Sequence, residues 1–299
     1  MPPQFPQFKP IELTDRDVLR EITWRYQPQT SEWTFTNLLI WRSRYGFQWS
    51  IYKDWLVMIG KANPEGFYAF QPLGPPSRRP VTRMLLEWLR DEKGEKNPRL
   101  ERADQRLVGE LAGDDLSIEP VRDQFDYVYK TQDLIKLAGR KYHSKRNHIH
   151  NFLQAHAFTY TALRDDYLQA CLELSGLWCE IRRCEEDLNL MGEWEAIREA
   201  FTHFHALAIQ GGLILIENKV EAFALGELLN QQTAVVHIEK ANPEIPGLYT
   251  MINQQFCEKN WPHVPSINRE QDLGELGLRQ AKLSYHPDHL VEKFQIGLR

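Results

Sequence analysis

The sequence predicts a mixed α+β protein with two domains. Its 299 residues, 42% hydrophobic and 26% charged, are enough for two globular cores. After residue 208, apolar segments separated by turn residues give the order β-β-β-α-β-α-β. The first half carries a shorter mixture of helices and strands. We therefore predict one domain at 1–118 and a second at 119–299.

The first domain is predicted to combine helices with short strands. A helix follows Thr14, because threonine favours the position that caps a helix start. The apolar segments FQWSIY, DWLVMIG and GFYAFQPLG, bounded by turn residues, predict three strands. Helices near 80–93 and 99–112 and the strand LSIEP come next, and Pro120 marks a linker near 114–124.

The second domain is predicted from a longer series of elements. A basic helix at 140–152 follows the segment DQFDYVYKT, and a strand, AFTYTAL, precedes long helices at 165–190 and 193–208. The run GLILIENKVEAFALGELLNQQTAVVHIEKA contains three strands separated by polar turns. The remaining elements are, in order, a helix at 247–260, the strand VPSIN, a helix at 275–283 and a strand near 290–298.

Charge and composition limit the partners and the compartment. The net charge is −5, from 36 Lys and Arg against 41 Asp and Glu, which argues against broad binding to nucleic acid or membranes. The apolar stretches are too short to span a bilayer, and the start, MPPQFPQFKP, has no signal-peptide core. The four cysteines show no disulfide spacing, so we expect free thiols and a cytoplasmic location.

Sequence motifs of several enzyme classes are missing. The chain contains no GxSxG, HExxH or GxxxxGK[ST], which are typical of α/β-hydrolases, zinc proteases and P-loop proteins. His203 and His205 lie two residues apart on a predicted helix and therefore do not form the i, i+4 pair that binds zinc. We expect no metal site.

The stretch GRKYHSKRNHIHNF concentrates positive charge in an acidic protein. It holds four Lys or Arg residues and no acid. On a helix, Lys141, Lys145 and His148 share one face, where like charges repel each other unless an anion lies between them. We therefore predict that Lys141, Lys145 and Arg146 hold phosphate groups. A solvated surface face is the alternative.

A second group of polar residues lies in VVHIEKANPEIPGLYTMINQQF. His237 and Glu239 point to the same side of a strand, near its carboxyl end, where α/β sheets commonly bind ligands. The chain then turns into a helix beginning near Gly247, whose free N–H groups suit an anion. The alternative is a polar strand face in water.

A third group follows a strand in SINREQDLGELGLRQAKLSYHP. Polar side chains crowd the end of that strand, and the next helix carries Arg279 and Lys282 before Tyr285. These residues line one cleft with His237 and Glu239, or they form a turn held by its own ion pairs. The predicted cleft-lining residues are Asn253, Asn268, Glu270, Asp272 and Arg279.

These segments resemble a known family. The order of elements over 233–298 is similar to the second half of the GNAT (N-acetyltransferase-like) fold. The runs RKYHSKRNHIHNF, TAVVHIEKA, GLYTMINQQF and NREQDLGELGLRQAKLSYHP resemble the carboxyl-terminal domain of phosphatidylglycerol lysyltransferases and its stand-alone relatives, over most of 125–299. Those domains pair two GNAT-like units, as the Fem peptidyltransferases do. The resemblance implies two tandem GNAT-like domains.

The resemblance also implies acyl transfer to an amine or hydroxyl acceptor. The donor is aminoacyl-tRNA or acyl-CoA as a co-substrate, with no tightly bound cofactor, and the acceptor is a small molecule, a peptide or a lipid headgroup. Glu239 is the expected base and Tyr285 the expected acid, with His237 beside them. Lys282 resembles a lysine of the family's final helix and is expected to neutralise charge near the acyl carbonyl.

One segment departs from the pattern of acetyl-CoA enzymes. Such enzymes normally carry a Q/RxxGxG/A loop for the pyrophosphate, whereas this chain has NPEIPGLY, with one glycine and two prolines. Because glycine permits close approach and proline removes an N–H donor, the departure favours an aminoacyl-tRNA donor or an altered mode of coenzyme A binding. The alternatives are a CoA-dependent N-acyltransferase and a non-catalytic GNAT-like binding protein.

Overall fold

The structure, a computed structural model, describes residues 2–62, 66–183 and 188–299 and divides into two units. The first unit comprises residues 1–126, 271–276 and 290–299, and the second comprises 127–270 and 277–289. The chain therefore crosses between the units four times, whereas we predicted a single boundary near 118. The predicted second domain also contained the last strand, which lies in the sheet of the first unit.

The described residues form strands and α-helices with the following bounds. The strands are β1 Lys9–Pro10, β2 Gln48–Tyr52, β3 Trp55–Ala62, β4 Gly66–Phe70, β5 Arg99–Ala103, β6 Leu116–Pro120, β7 Asp126–Lys130, β8 Phe158–Ala162, β9 Gln210–Ile216, β10 Lys219–Asn230, β11 Thr233–Ala241, β12 Ser266–Asn268, β13 His289–Val291 and β14 Phe294–Leu298. The α-helices are α1 Arg16–Tyr26, α2 Phe35–Ile40, α3 Arg42–Tyr45, α4 Arg79–Lys93, α5 Gln105–Glu110, α6 Thr131–Lys136, α7 His143–Ala155, α8 Asp165–Arg182, α9 Leu188–Thr202, α10 Phe204–Leu207, α11 Leu248–Asn260 and α12 Leu276–Leu283.

The first unit is built on a sheet with the strand order β1-β2-β3-β4-β5-β14-β6. Strands β4 and β5 are parallel and are connected through α4, while the other neighbours are antiparallel. Helix α4 buries Val81, Leu85 and Leu89, spaced four residues apart, in the core of this unit. It ends at Gly94, whose φ of +71° suits the left-handed cap of a helix.

Two neighbouring parallel strands in the sheet of the second unit separate before their carboxyl ends. The strand order of this sheet is β13-β7-β12-β11-β10-β9-β8, and β11 and β12 are parallel and connected through α11. They pair only from Thr233 to Val235, although β11 continues to Ala241 along its other neighbour, β10. The strands therefore separate at their carboxyl ends, which is where parallel sheets commonly bind ligands.

Several elements differ from the prediction. The helix predicted near 99–112 is instead strand β5 followed by the short helix α5, because β5 pairs with β4 and β14 on either side. Such pairing outweighs the helical tendency of a charged sequence. The strand predicted near 290–298 is two strands, β13 and β14. The strand triplets predicted in the two halves are confirmed as β2–β4 and β9–β11.

The cysteines differ in part from the expectation of free thiols. Cys171 and Cys257 are buried free thiols, and burial raises the pKa of each to about 12. Cys179 is disulfide-bonded, which corrects the expectation for that residue. Cys184 lies outside the described residues.

The helices and the acidic, His and Cys side chains of the described residues bear on membranes and metals. Among its helices, none has the length and apolar character that crossing a membrane requires. Nor does this part of the chain group three or more His, Cys, Asp or Glu side chains so that they could hold a metal ion.

The position of β14 predicts that the last residues of the chain stabilise the first unit. Ile296 is fully buried between Leu100 of β5 and Ile118 of β6. We expect Ile296→Ala to lower the free energy of unfolding by about 2–5 kcal/mol, through lost burial and the cavity left behind. Denaturant unfolding followed by fluorescence measures this. The exposed Glu292→Ala is the control, and equal stability of the two variants would contradict the assignment.

Candidate active site between two strands

An ion pair spans the opening between β11 and β12. Glu239 lies on β11 beyond the paired residues, and Arg269 directly follows β12. The Glu239 Oε1 atom accepts a hydrogen bond from Arg269 Nη2 at 2.8 Å, and Oε2 accepts one from Asn253 Nδ2 of α11 at 2.9 Å. The side chains of Glu239 and Arg269 are only 11% and 14% exposed, so water screens the pair weakly.

Aromatic rings surround the Arg269 guanidinium. It lies 4.8 Å from the Tyr285 ring centroid and 5.8 Å from that of Tyr129. Tyr285 is 6% exposed, and its carbonyl oxygen accepts a hydrogen bond from the Tyr142 hydroxyl at 2.9 Å. Burial raises the pKa of the Tyr285 phenol, so the hydroxyl stays protonated and can donate a proton.

Lys145 brings a second basic group to this cluster. Its Nζ lies 3.9 Å from the Tyr285 ring centroid, and no carboxylate among the described residues forms an ion pair with it. Burial, assisted by the positive charge of Arg269, lowers the pKa of Lys145 to about 8 despite the opposing attraction of Glu239. Lys145 therefore exchanges a proton near neutral pH, unlike an ordinary lysine.

The other two predicted phosphate-binding residues have different partners. Helix α7 begins at His143, and Lys141 lies before it in a 3-10 turn, Arg140–Tyr142. The exposed Lys141 Nζ pairs with Asp133 Oδ2 at 3.3 Å. Arg146 Nη1 donates to the carbonyls of Leu137 and Gly139 at 2.6 and 2.7 Å. The single basic face predicted for 140–152 is therefore wrong, because folding supplies an acid from eight residues upstream and the turn moves Lys141 off the helix.

His237 lies between two carboxylates. Its Nδ1–H donates to Glu270 Oε1 at 2.8 Å and its Nε2–H donates to Glu227 Oε1 at 3.1 Å. Burial alone would lower the pKa of His237, but these two hydrogen bonds raise it to about 9. The imidazolium then has no free lone pair to accept a proton from a substrate. The geometry gives His237 a role in holding β10, β11 and the turn after β12 together.

Lys282 and Asn268 support the turn that carries Arg269. The buried Lys282 Nζ donates to the carbonyl oxygens of Arg269 and Glu270. Asn268 Oδ1 accepts a hydrogen bond from the Glu270 N–H at 2.7 Å, where φ of Glu270 is +56°. These contacts fix the backbone at the end of β12 and direct the Lys282 ammonium toward main-chain carbonyls.

The remaining predicted residues lie elsewhere. Asp272 belongs to the first unit, where its carboxylate pairs with Arg122 at 3.4 Å and accepts a hydrogen bond from the Gly274 N–H. Arg279 lies half-buried on α12. In the sequence, Arg269 was one of the polar residues at the end of a predicted strand, but it was not selected as a site residue. Tyr129 was not identified either. The available signal was that Arg269 is the first residue after a strand predicted to end at a ligand site.

Helix α7 packs against Gly247, the residue that precedes α11. Gly247 has a φ of +86°, and a Cβ atom there would clash with the carbonyl oxygen of His148 on α7. The backbone of α7 thus packs directly against the loop that precedes α11. A pyrophosphate that approached this helix start would meet α7.

A separate groove of about 470 Å³ lies between α8 and α9 of the second unit. None of the predicted site residues lines it. Its lining residues are Gln169, Leu172, Glu173, Gly176, Leu177, Glu180, Trp194 and Arg198.

Comparison with solved structures identifies the fold of the two units. A tandem GNAT protein from the clavulanic acid biosynthesis pathway matches 98% of this chain and 98% of its own, with 10% identity and a TM-score of 0.52. The C-terminal domain (DUF2156) of a putative lysylphosphatidylglycerol synthetase from Agrobacterium fabrum matches 96% of this chain and 92% of its own, with 14% identity and a TM-score of 0.67. The chain is therefore a mixed α+β protein of two GNAT-like units, as predicted.

The family follows from the sequence match. Residues 24–296 match the family described as phosphatidylglycerol lysyltransferase, C-terminal, and the chain belongs to this family of GNAT-like acyltransferases. A conserved protein of unknown function from Bacteroides thetaiotaomicron VPI-5482 is 33% identical over 100% of both chains, with a TM-score of 0.91. No curated protein matches the chain. The predicted resemblance is confirmed.

The environment of His237 predicts a pH-dependent stability. Its pKa of about 9 exceeds the ordinary 6.5, so between these values the folded state binds a proton that the unfolded state does not. The contribution is full below about pH 6.5 and is lost as the pH rises through about 9. We expect the stability difference between the protein and His237→Gln to be on the order of 3 kcal/mol larger at about pH 6 than at about pH 9.5. Denaturant unfolding at both pH values measures it. A difference that does not change with pH would contradict the charged, doubly bonded imidazole.

Proposed function

We propose that the protein transfers an aminoacyl group from aminoacyl-tRNA to an amine or hydroxyl acceptor at the cluster between β11 and β12. The observation that carries the proposal is the Glu239–Arg269 pair in the opening of the sheet, with Lys145 and Tyr285 beside it. Acyl transfer needs a positive group for the oxyanion, a base for the nucleophile and an acid for the leaving group. This cluster contains all three types of group.

Arg269 is the group that stabilises the oxyanion. Its Nη2 atom is bonded to Glu239, while its buried Nη1 atom has no hydrogen-bond partner among the described residues. A donor held in place before the reaction begins stabilises developing negative charge without the cost of reorientation. The support of the turn by Lys282 and Asn268 keeps this donor in position.

Lys145 is the base in this proposal. We predicted from the sequence that Glu239 takes this role, but Glu239 is ion-paired with Arg269 and bonded to Asn253, which gives it a part in holding Arg269. Lys145 has a pKa of about 8, close to the pH at which a general base works best. As a neutral amine it has a lone pair to accept the proton of the acceptor.

The transfer proceeds with a balanced movement of protons. The acceptor nitrogen or oxygen attacks the ester carbonyl carbon, its proton passes to Lys145, and the carbonyl electron pair moves onto the oxygen facing Arg269. Collapse of this intermediate breaks the bond between the carbonyl carbon and the tRNA ribose oxygen, which takes a proton from Tyr285. The proton on Lys145 then returns to Tyr285 through solvent.

The packing of α7 against the start of α11 favours aminoacyl-tRNA over coenzyme A. The loop NPEIPGLY lacks the glycines of the usual pyrophosphate site, and Gly247 already touches the α7 backbone. An acyl-CoA donor would therefore need another binding mode. The family name makes a lysyl donor and a phosphatidylglycerol headgroup the first pair to test, with peptide and small-molecule amines as further acceptors.

A charge-preserving substitution separates a base from a phosphate anchor. Lys145→Arg keeps a positive charge but raises the pKa far above neutral, so we expect donor binding within about threefold of the original and turnover lowered by roughly 100-fold or more. The assay follows transfer of radiolabelled lysine from lysyl-tRNA to phosphatidylglycerol vesicles or to amines. Lys141→Arg, in the same basic stretch but paired with Asp133, is the matched control and should change neither value.

Other outcomes of this assay would refute the proposal. Equal turnover of Lys145→Arg and the original protein would remove Lys145 as the base. Transfer from acyl-CoA but not from aminoacyl-tRNA would establish the CoA-dependent alternative. Binding of tRNA with no transfer to any acceptor would support the non-catalytic one.

A further inference from the structure

Two buried polar atoms beside Glu239 have no hydrogen-bond partner in the described part of the chain. One is Asn253 Oδ1, on a residue that is 1% exposed, and the other is Arg269 Nη1. Each atom belongs to a side chain that is already bonded to Glu239. Asn253 donates to Glu239 through Nδ2, and Arg269 donates through Nη2. Leaving such buried groups unpaired is unfavourable, so their occurrence together at the proposed site points to a ligand that pairs with them.

The two atoms differ in chemistry. Asn253 Oδ1 accepts hydrogen bonds, and it lies on the residue that contacts the Glu239 carboxylate, so this side of the site suits a cation. Arg269 Nη1 donates hydrogen bonds, so its side suits a carbonyl oxygen or an oxyanion. A ligand that pairs with both atoms carries a positively charged donor close to a carbonyl oxygen.

An aminoacyl group has this arrangement. Its α-ammonium nitrogen and its ester carbonyl are attached to the same carbon atom. An acetyl or other simple acyl group offers the carbonyl oxygen alone and would leave Asn253 Oδ1 unpaired. We infer that Asn253 and Glu239 together bind the α-ammonium of the donor while Arg269 binds its carbonyl oxygen, so that Asn253 determines specificity for aminoacyl over simple acyl groups.

This inference rests on the proposed function and deepens it. It also gives Glu239 a role that is consistent with its hydrogen bonds to Arg269 and Asn253. Its carboxylate is held in position by Arg269 and Asn253 and can attract an ammonium group. The second lone pair of Oε2 remains for that contact, because each carboxylate oxygen can accept more than one hydrogen bond.

The test uses two stable analogues of the tRNA end. In the first, 3′-amino-3′-deoxyadenosine is acylated with lysine. In the second it is acylated with 6-aminohexanoic acid, which has the same chain and terminal amine but hydrogen in place of the α-ammonium. Calorimetry at low salt gives Kd for each. We expect the lysyl analogue to bind on the order of 10- to 100-fold more tightly to the original protein, because hydrogen bonds to charged groups are strong.

Variants of Asn253 connect this preference to the residue. Asn253→Ser, which shortens the side chain, should reduce the preference to about threefold or less. Gln255→Ala on the same helix is the control and should preserve it, since Gln255 bonds to Glu258 instead. Circular dichroism and the melting temperature of each variant show whether it folds.

The outcomes separate the inference from the proposed function. Equal binding of the two analogues to the original protein, which needs no variant, would overturn the inference alone. A preference that survives in a folded Asn253→Ser protein would overturn the role of Asn253. The proposed function itself is contradicted if neither analogue binds the original protein. It is also contradicted if tRNA does not bind.

Discussion

The ion pair between Glu239 and Arg269 is the interaction on which the proposed site depends. It crosses the place where β11 and β12 stop pairing. Burial makes the pair strong, but it also means that removal of one partner leaves a buried charge uncompensated. The surrounding contacts serve to keep Arg269 in place. Lys282 and Asn268 hold its backbone, and the rings of Tyr129 and Tyr285 flank its guanidinium.

The basic stretch that stands out in the sequence divides into parts with different tasks. Arg146 closes the preceding loop by bonding its carbonyls, and Lys141 pairs with an acid at the surface. Lys145 contacts Tyr285 beside Arg269, and its burial there gives it the unusual pKa of about 8. The local concentration of charge predicted a site on the helix that carries Lys145, whereas the contacts of each residue follow from what the fold places beside it.

The sequence predicted the fold class, most strands and the strand that carries Glu239, because hydrophobic alternation and turn residues are local signals. It also selected Asn253 as a cleft-lining residue, and the resemblance to the family suggested Tyr285 as the acid. It could not reveal the partners of His237, since Glu227 and Glu270 come from separate elements. For the same reason it did not place β14 between β5 and β6, or recognise β5 as a strand. Residues that are distant in sequence decide these features.

The central claim is that the opening between β11 and β12 holds the aminoacyl end of the donor. The most direct test is a crystal structure with the lysyl analogue of 3′-amino-3′-deoxyadenosine. The account predicts that the acyl carbonyl oxygen lies within hydrogen-bond distance of Arg269 Nη1, with the α-amino nitrogen at Asn253 and Glu239. Density for the analogue in the groove between α8 and α9, with the Glu239–Arg269 cluster unchanged, would contradict it.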